Sequence, residues 1–462
     1  MRQQKKSMTT RLYGSIFRSP ARMSVLAFLG LIGLGTLLLM LPAASTGRPV
    51  GLVDALFTAT SAGCVTGLVV MDTGSALTVF GQAVVLGLIQ AGGLGIMTIS
   101  TLFLMMAGKR PSLAGRMLVQ DTFTQGGRRT LQSILRDVAL FTLTFEALGA
   151  VFMFFRFLPG RTTGRALYLS VFHSISAFCN AGFSLFSDSF LSYRSDWVLN
   201  LTLCLLIISG GIGFLVLSEL RRQPSFNRRT WSRMSLHSKL VLSTTIFLIG
   251  SGALIILFME RNNTLAALSP GSRLLASLFQ SVTARTAGFN TLPVGSLANE
   301  TLCFPMLLMF IGASPGSCGG GIKTSTFATL VTLGISRLRG RERPQLFHRS
   351  ISQASVGKAV SVVMISSLVV VTAVMALLMT EVGEIPHMAA RGRFLELLFE
   401  AVSAFGTVGL STGITGGLST AGKAIITLVM FVGRLGPLVI AMAVSRPDAS
   451  RYYYAEENIM IG

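Results

Sequence analysis

The chain has 462 residues, 51% of them hydrophobic and 12% charged, with 39 Lys and Arg against 18 Asp and Glu for a net charge of +21. A soluble protein carries about 25% charged residues, so this composition excludes a chain clothed in ionic surface and points to an integral membrane protein. The basic excess does not mark a nucleic-acid reader: it is confined to the gaps 2–22, 109–136, 221–239 and 337–349 between apolar runs, a positive-inside pattern that sets those gaps in the cytoplasm beside anionic lipid headgroups.

In chain order, a basic N-terminus (1–20) leads into an apolar run at 21–42. Leu-Pro-Ala-Ala-Ser at 41–45 mimics a signal cleavage site, but the run is longer than a signal core and further runs follow, so it reads as a retained first helix. From there one grammar repeats: a long apolar run, a shorter half-polar segment, a glycine motif, and a second long run. The first unit (21–108) has 21–42, 50–62 and 76–107; the second (131–222) has 131–157, 164–177 and 197–220. The third (236–336) has 236–259, 271–283 and 301–333; the fourth (356–446) has 356–380, 393–404 and 421–444, before a tail at 447–462. The long runs reach the roughly 20 residues that cross a hydrocarbon core, and the short ones do not. The short segments therefore read as re-entrant helices, each followed by irregular backbone at membrane depth, which is tolerated only around a watery cavity or inside protein. The expected fold is an all-α integral membrane protein with eight transmembrane helices and four re-entrant helices, arranged as four parallel repeats around one pore, with both termini cytoplasmic.

The glycine motif carries the chemistry. It begins at Phe57, Phe172, Phe279 and Phe399 and ends Cys-Val-Thr-Gly-Leu (64–68), Cys-Asn-Ala-Gly-Phe (179–183), Arg-Thr-Ala-Gly-Phe (285–289) and Gly-Thr-Val-Gly-Leu (406–410). Glycine lets backbone take conformations closed to other residues. Four such segments could replace a cation's hydration shell with carbonyl oxygens, and the helix C-termini aimed at them would favour positive charge. The candidate ion-binding positions are Val65, Thr66 and Gly67; Asn180, Ala181 and Gly182; Thr286, Ala287 and Gly288; and Thr407, Val408 and Gly409. Ten residues separate Phe from Gly in three copies (57 to 67, 172 to 182, 399 to 409) and nine in the third (279 to 288), whose terminal five residues alone carry a charge, Arg285. The ring should be four-fold only approximately.

The last run of the third unit is broken by Ile-Gly-Ala-Ser-Pro-Gly-Ser-Cys-Gly-Gly-Gly-Ile-Lys (311–323). Pro and clustered Gly interrupt helices, so Gly312, Ser314, Pro315, Gly316, Gly319, Gly320, Gly321 and Lys323 read as a polar intramembrane loop (312–322 and the Lys after it) placed to gate the pore. Arg434, inside the last run, is costly in a membrane and so faces a cavity or a partner. Near the axis it would be a barrier to cations. Lys323 reads as nearer the interface than Arg434, Glu146 as paired within the bundle, and His173 and Gln280 as packed polar residues. The five Cys read as small core residues, without the spacing of a disulfide framework or metal site.

Four quarters of one orientation argue against a solute transporter built on inverted repeats. The four His, at 173, 237, 348 and 387, stand in scattered contexts, which argues against an enzyme and against paired-His ammonium conduction; no nucleophile–base set or metal cluster is evident.

At Phe172-His-Ser-Ile-Ser-Ala-Phe-Cys-Asn-Ala-Gly-Phe183, Phe279-Gln-Ser-Val-Thr-Ala-Arg-Thr-Ala-Gly-Phe289, Ile311-Gly-Ala-Ser-Pro-Gly-Ser-Cys-Gly-Gly-Gly-Ile-Lys323 and Gly433-Arg-Leu-Gly436, the chain resembles the potassium-translocating subunits of the Ktr/Trk/HKT superfamily, most closely the Ktr membrane subunit. The resemblance spans nearly the whole chain. It implies potassium uptake across the bacterial inner membrane, often sodium-dependent, with potassium as substrate, sodium as a coupling or activating ion and no organic cofactor. It also implies a homodimer with one pore per protomer, and a cytosolic regulatory ring that binds adenine nucleotide and docks on the basic face. Gly67, Gly182, Gly288 and Gly409 would be the filter glycines, 312–321 the gating loop, and Arg434 the arginine that engages it. Cys318 stands where a hydroxyl residue is expected, and Cys64 and Cys179 lie inside filter copies.

Overall fold

A computed structural model describes residues 20–95, 131–222, 227–341, 343–386, 388–437 and 439–440. The basic N-terminus, most of the 109–136 cluster and the C-terminal tail lie outside the described residues.

Each unit opens with a long helix: α1 (Pro20–Leu39), α4 (Leu131–Phe157), α8 (Leu236–Glu260) and α12 (Gln353–Glu381). Local sequence starts them. Ser235 and Ser352 accept a hydrogen bond from the backbone N–H three residues on, at Ser238 and Ser355, which satisfies one of the donors that a helix start leaves free. Their outward faces are bare hydrocarbon: Leu37, Phe155, Ile246, Phe258 and Met379 are each more than 60% exposed. Apolar surface on that scale is stable only against lipid or a partner.

A short helix follows each: α2 (Leu52–Gly63), α5 (Thr163–Phe178), α9 (Pro270–Thr283) and α13 (Arg393–Gly406). Their ends match the sequence expectation to within two residues. They pack inside the long helices, and their motif phenylalanines Phe57, Phe172, Phe279 and Phe399 are buried. The second helices are α3 (Val79–Gly93), α6 (Trp197–Ile212), α10 (Asn299–Ile311) and α14 (Thr420–Leu435).

These second helices depart from expectation. The run at 197–220, read as one span, breaks at Gly213 (φ 97°), and its continuation α7 (Phe214–Arg221) is bent by 102°. α3 and α14 end beside glycines of the same hand, Gly95 (φ 82°) and Gly436 (φ 82°), and the rest of the 76–107 run lies outside the described residues. Only Gly takes that conformation at no steric cost. The third unit breaks as expected, α10 giving way to the loop and then to α11 (Thr324–Leu338). Among the described residues, four helices are long and apolar enough to cross a membrane, or five if the bent pair α6–α7 is one span.

Packing runs in a circle. Each second helix lies against its own short helix or long helix and against the next unit's short helix: α3 on α5, α6 on α9, α10 on α13, and α14 back on α2. The last seam also carries an ion pair, Lys423 Nζ to Asp54 Oδ1 at 2.8 Å. A two-stranded hairpin, β1 (Gln345–Leu346) and β2 (Arg349–Ser350), joins the third unit to the fourth.

Candidate functional site

Each short helix ends in a turn that reverses hand twice. Val65, Asn180, Thr286 and Thr407 have φ of 56°, 61°, 80° and 50°; two residues later Gly67, Gly182, Gly288 and Gly409 have φ of 94°, 70°, 82° and 91°. A left-handed residue other than Gly costs about 1–2 kcal/mol, so four at matched places mark a shared construction rather than chance. Alternating hand turns successive carbonyls to one side of the chain instead of opposite sides. The eight side chains before the glycines, Val65 and Thr66 through Thr407 and Val408, are all fully buried.

A hydroxyl in each short helix holds the turn. Ser61 and Ser403 accept from the N–H of Gly67 and Gly409 at 3.1 Å. Ser176 and Thr283 donate instead to the carbonyls of Phe183 and Phe289, at 2.8 and 2.6 Å. All four stand four residues after the motif Phe. The sequence analysis gave them no task; their fixed place in every copy was the available signal. The one-residue deletion in the third copy shows in the main chain: Thr66, Ala181 and Val408 donate to the carbonyl five residues back, whereas Ala287 donates to Thr283, four back.

The four turns then close on one another. A methyl group added at Gly67 would strike the carbonyl oxygen of Ala181, one at Gly182 would stand 2.8 Å from that of Ala287, one at Gly288 would strike Val408 and one at Gly409 would strike Thr66. The circle is complete and follows chain order. Its contacts join eight of the twelve positions singled out from the sequence, and the other four, Val65, Asn180, Thr286 and Thr407, are the left-handed residues that begin each turn.

The 312–323 loop lies against the short-helix side of this ring. Gly320 N donates to Thr407 Oγ1 at 3.0 Å, and methyl groups at Gly319 and Gly321 would press on Thr286 and Gly406. Ser314 N and Cys318 N donate to the carbonyls of Gly211 and Gly210 on α6, at 3.0 and 3.1 Å. Gly312 (φ 63°) is the hinge at the end of α10, while Pro315 and Gly316 sit away from the ring, at the break in α6, where Phe214 N donates to Gly316 O. Thr324 Oγ1 donates to Ser314 Oγ at 2.9 Å and closes the loop's base.

Two cations staple the loop. Lys323 is not turned out to an interface: its Nζ folds back to Gly319 O at 2.6 Å. Arg434 is 9% exposed and donates to the carbonyls of Cys318 and Gly92. It occupies the place of Gly93 on α3 and Gly211 on α6, one residue after a glycine that packs on a short-helix carbonyl: Gly92 on Gly63, Gly210 on Phe178 and Gly433 on Phe405. Glu146 takes its partners within the bundle, from Gln90 Nε2 at 3.4 Å and Cys179 Sγ at 3.9 Å. His173 is packed, with Nδ1 at Leu169 O (2.8 Å) and Nε2 accepting from Leu185 N (3.2 Å). Cys303 corrects the reading of the cysteines as core residues: it is exposed, while the other four are buried. Beyond the ring, Asp72 caps the short turn of helix 73–76; burial raises its carboxyl, but hydrogen bonds from Ser187, Gly74 and Ser75 outweigh that and hold it below the usual range.

Comparison with known proteins agrees with this architecture. Residues 7–452 match the TrkH family model, described as cation transport protein. The chain is 42% identical over 446 residues to Ktr system potassium uptake protein B of Bacillus subtilis, covering 96% of this chain and 97% of the relative. It is 35% identical over 450 residues to the potassium/sodium uptake protein NtpJ of Enterococcus hirae, covering 96% and 97%. The fold is similar to the crystal structure of the potassium transporter TrkH from Vibrio parahaemolyticus, with a TM-score of 0.73 over 91% of this chain and 83% of that one at 19% identity. Matched along nearly its whole length, the chain belongs to the TrkH family of cation transport proteins.

Proposed function

We propose that the ring of Gly67, Gly182, Gly288 and Gly409 is the selectivity filter of a potassium uptake protein. The observation that carries this reading is the closed circle in which each glycine faces the carbonyl of the next unit. Carbonyl oxygens on one axis replace water around a cation and offer nothing to an anion. The short helices point their C-terminal ends at the ring, adding about half a negative charge each. In this reading the fold is four parallel units with eight spans and four re-entrant helices around one pore, in the bacterial inner membrane, with both termini cytoplasmic. The chain performs no covalent chemistry and takes no organic cofactor.

The loop at 312–323 is the gate. It covers the ring while Gly320 holds Thr407 and Arg434 holds Cys318. Lys323 and Arg434 set two positive charges beside the conduit, where a passing cation meets its barrier. Opening moves the loop and both charges together. The Ktr and NtpJ names of the relatives support potassium as the ion carried and sodium as a second ion that activates or couples. The same kinship supports a homodimer and a cytosolic regulatory ring, sensing adenine nucleotide, docked on the basic face beside anionic lipid.

The test is rubidium uptake into vesicles holding the purified protein, with and without sodium. Gly288→Ser adds a Cβ against the Val408 carbonyl and strains a φ of 82°. Left-handed strain of about 1–2 kcal/mol alone corresponds to roughly tenfold, so uptake should fall at least that far while the protein still inserts. Unchanged uptake would remove Gly288 from the filter.

A further inference from the structure

Arg285 is the one charge in the four five-residue glycine turns (64–68, 179–183, 285–289 and 406–410), and the proposed function gives it no task. It is 7% exposed, and its Nε has no partner. It takes part in none of the ion pairs among the described residues, which join Arg156 to Asp196, Arg393 to Glu396 and Lys423 to Asp54. Its side chain lines a cavity of about 10 Å³ between α6, α8 and α9, walled by Ile207, Ile208, Gly211, Thr245 and Ile249. That volume admits about one water-sized sphere. Thr245 Oγ1, 4% exposed, is also without a partner.

The second unit shows what the same slot holds elsewhere. Ser174 Oγ donates to Glu146 O at 2.6 Å and Ser281 Oγ to Ile249 O at 2.9 Å, each two residues after its motif Phe. Ile249 is thus the counterpart of Glu146. Likewise Ile208 is the counterpart of Gln90, two residues before Gly92 and Gly210 on the packed second helices. In the second unit the slot is closed by its own side chains, Gln90 donating to Glu146 and Cys179 donating to both. In the third unit the acid and the amide are isoleucines, and a guanidinium has come in. A cation stands in the slot that in the second unit holds a carboxylate, and the residues lining it include no acid. The C-terminal end of α9 supplies about half an elementary charge, which leaves the rest.

We infer that the cavity beside Arg285 binds one monatomic anion of the chloride class, held by the guanidinium and the Thr245 hydroxyl in the position that the Glu146 carboxylate occupies one unit earlier. The guanidinium fixes the class: it brings a positive charge and N–H donors to a cavity lined by no acid, the Thr245 hydroxyl can turn its proton the same way, and a buried unpaired charge is costly. The volume excludes phosphate, carboxylates and lipid headgroups. The anion would sit behind the third turn, fixing Arg285 and the neighbouring Thr286 without entering the conduction path.

The decisive experiment is diffraction from crystals of the full chain grown in bromide, read at the bromine edge. An anomalous peak within hydrogen-bonding distance of Arg285 and Thr245 is expected; water or empty density there overturns the proposal. Thermal unfolding of the detergent-solubilised protein in chloride against gluconate gives a second reading, since an anion bound only by the folded state raises the midpoint with concentration. Thr245→Val should weaken the chloride response about tenfold, the effect of one hydrogen bond to a charged group. Ile249→Glu should abolish it by supplying the carboxylate from within. A chloride response that survives both variants unchanged would refute the site whatever the transport assays show.

Discussion

The third unit and the other three share one template and part from it in three places. In units one, two and four a glycine of the second helix, Gly92, Gly210 or Gly433, seats on the carbonyl that ends a short helix, and a second glycine three residues on stops the helix. In the third unit that junction is replaced by a twelve-residue loop folded against the ring (312–323). Its turn is tied by a bond four residues back instead of five, and its slot behind the turn holds Arg285 where the second unit has a satisfied acid. Four copies of one segment give a closed ring. One copy, shortened by a residue, carries the loop proposed as the gate. The departures gather in the third quarter while the ring stays closed: every glycine in it faces a neighbour's main chain.

The largest effect that would sharpen this contrast comes from the loop. Deleting residues 317–320 removes the bonds from Gly320 to Thr407 and from Arg434 to Cys318, and rubidium flux should rise several-fold. Flux at the wild-type level would return the third unit to the pattern of the others. Next comes the shared junction. Gly433→Ala places a methyl on the Phe405 carbonyl, as Gly210→Ala does on Phe178; main chain cannot yield as a side chain can, so each should cost about 1–3 kcal/mol in thermal stability. Gly87→Ala meets nothing within 4 Å and serves as the neutral comparison. Unequal losses at Gly433 and Gly210 would break the equivalence on which the comparison rests. The smallest effect lies at the seam between the last unit and the first. Lys423→Gln removes the ion pair to Asp54, whose side chain is 38% exposed, and should cost under about 1 kcal/mol, read as a slight fall in the unfolding midpoint.

Much of this was legible in the sequence because the four motifs are local and repeated. The four short helices, the four glycines, the broken third span and the buried arginine of the last helix each carry their signal within a dozen residues. What was not legible depends on distance. That Gly67 abuts Ala181, and Gly409 abuts Thr66, follows from how the units turn about an axis, and nothing near those residues in the chain records it. The break at Gly213 was missed because Gly-Gly-Ile-Gly in an apolar run is also the composition of a packing seam, and only the positive φ at Gly213 separates the two. Lys323 was read outward from its place at the end of a loop, whereas the loop's own carbonyls turn its amine inward. The slot around Arg285 joins residues of three helices, and its kinship to the slot of Glu146 lies in matched hydrogen bonds from Ser174 and Ser281 rather than in adjacent sequence.

The central claim, that main-chain carbonyls of four units hold a cation on one axis, is tested most directly by anomalous diffraction from crystals in rubidium. The account predicts a peak inside the ring, within coordination distance of the carbonyl oxygens of Thr66, Ala181, Ala287 and Val408. Rubidium found only outside that ring, with the four glycine turns enclosing none, would contradict it.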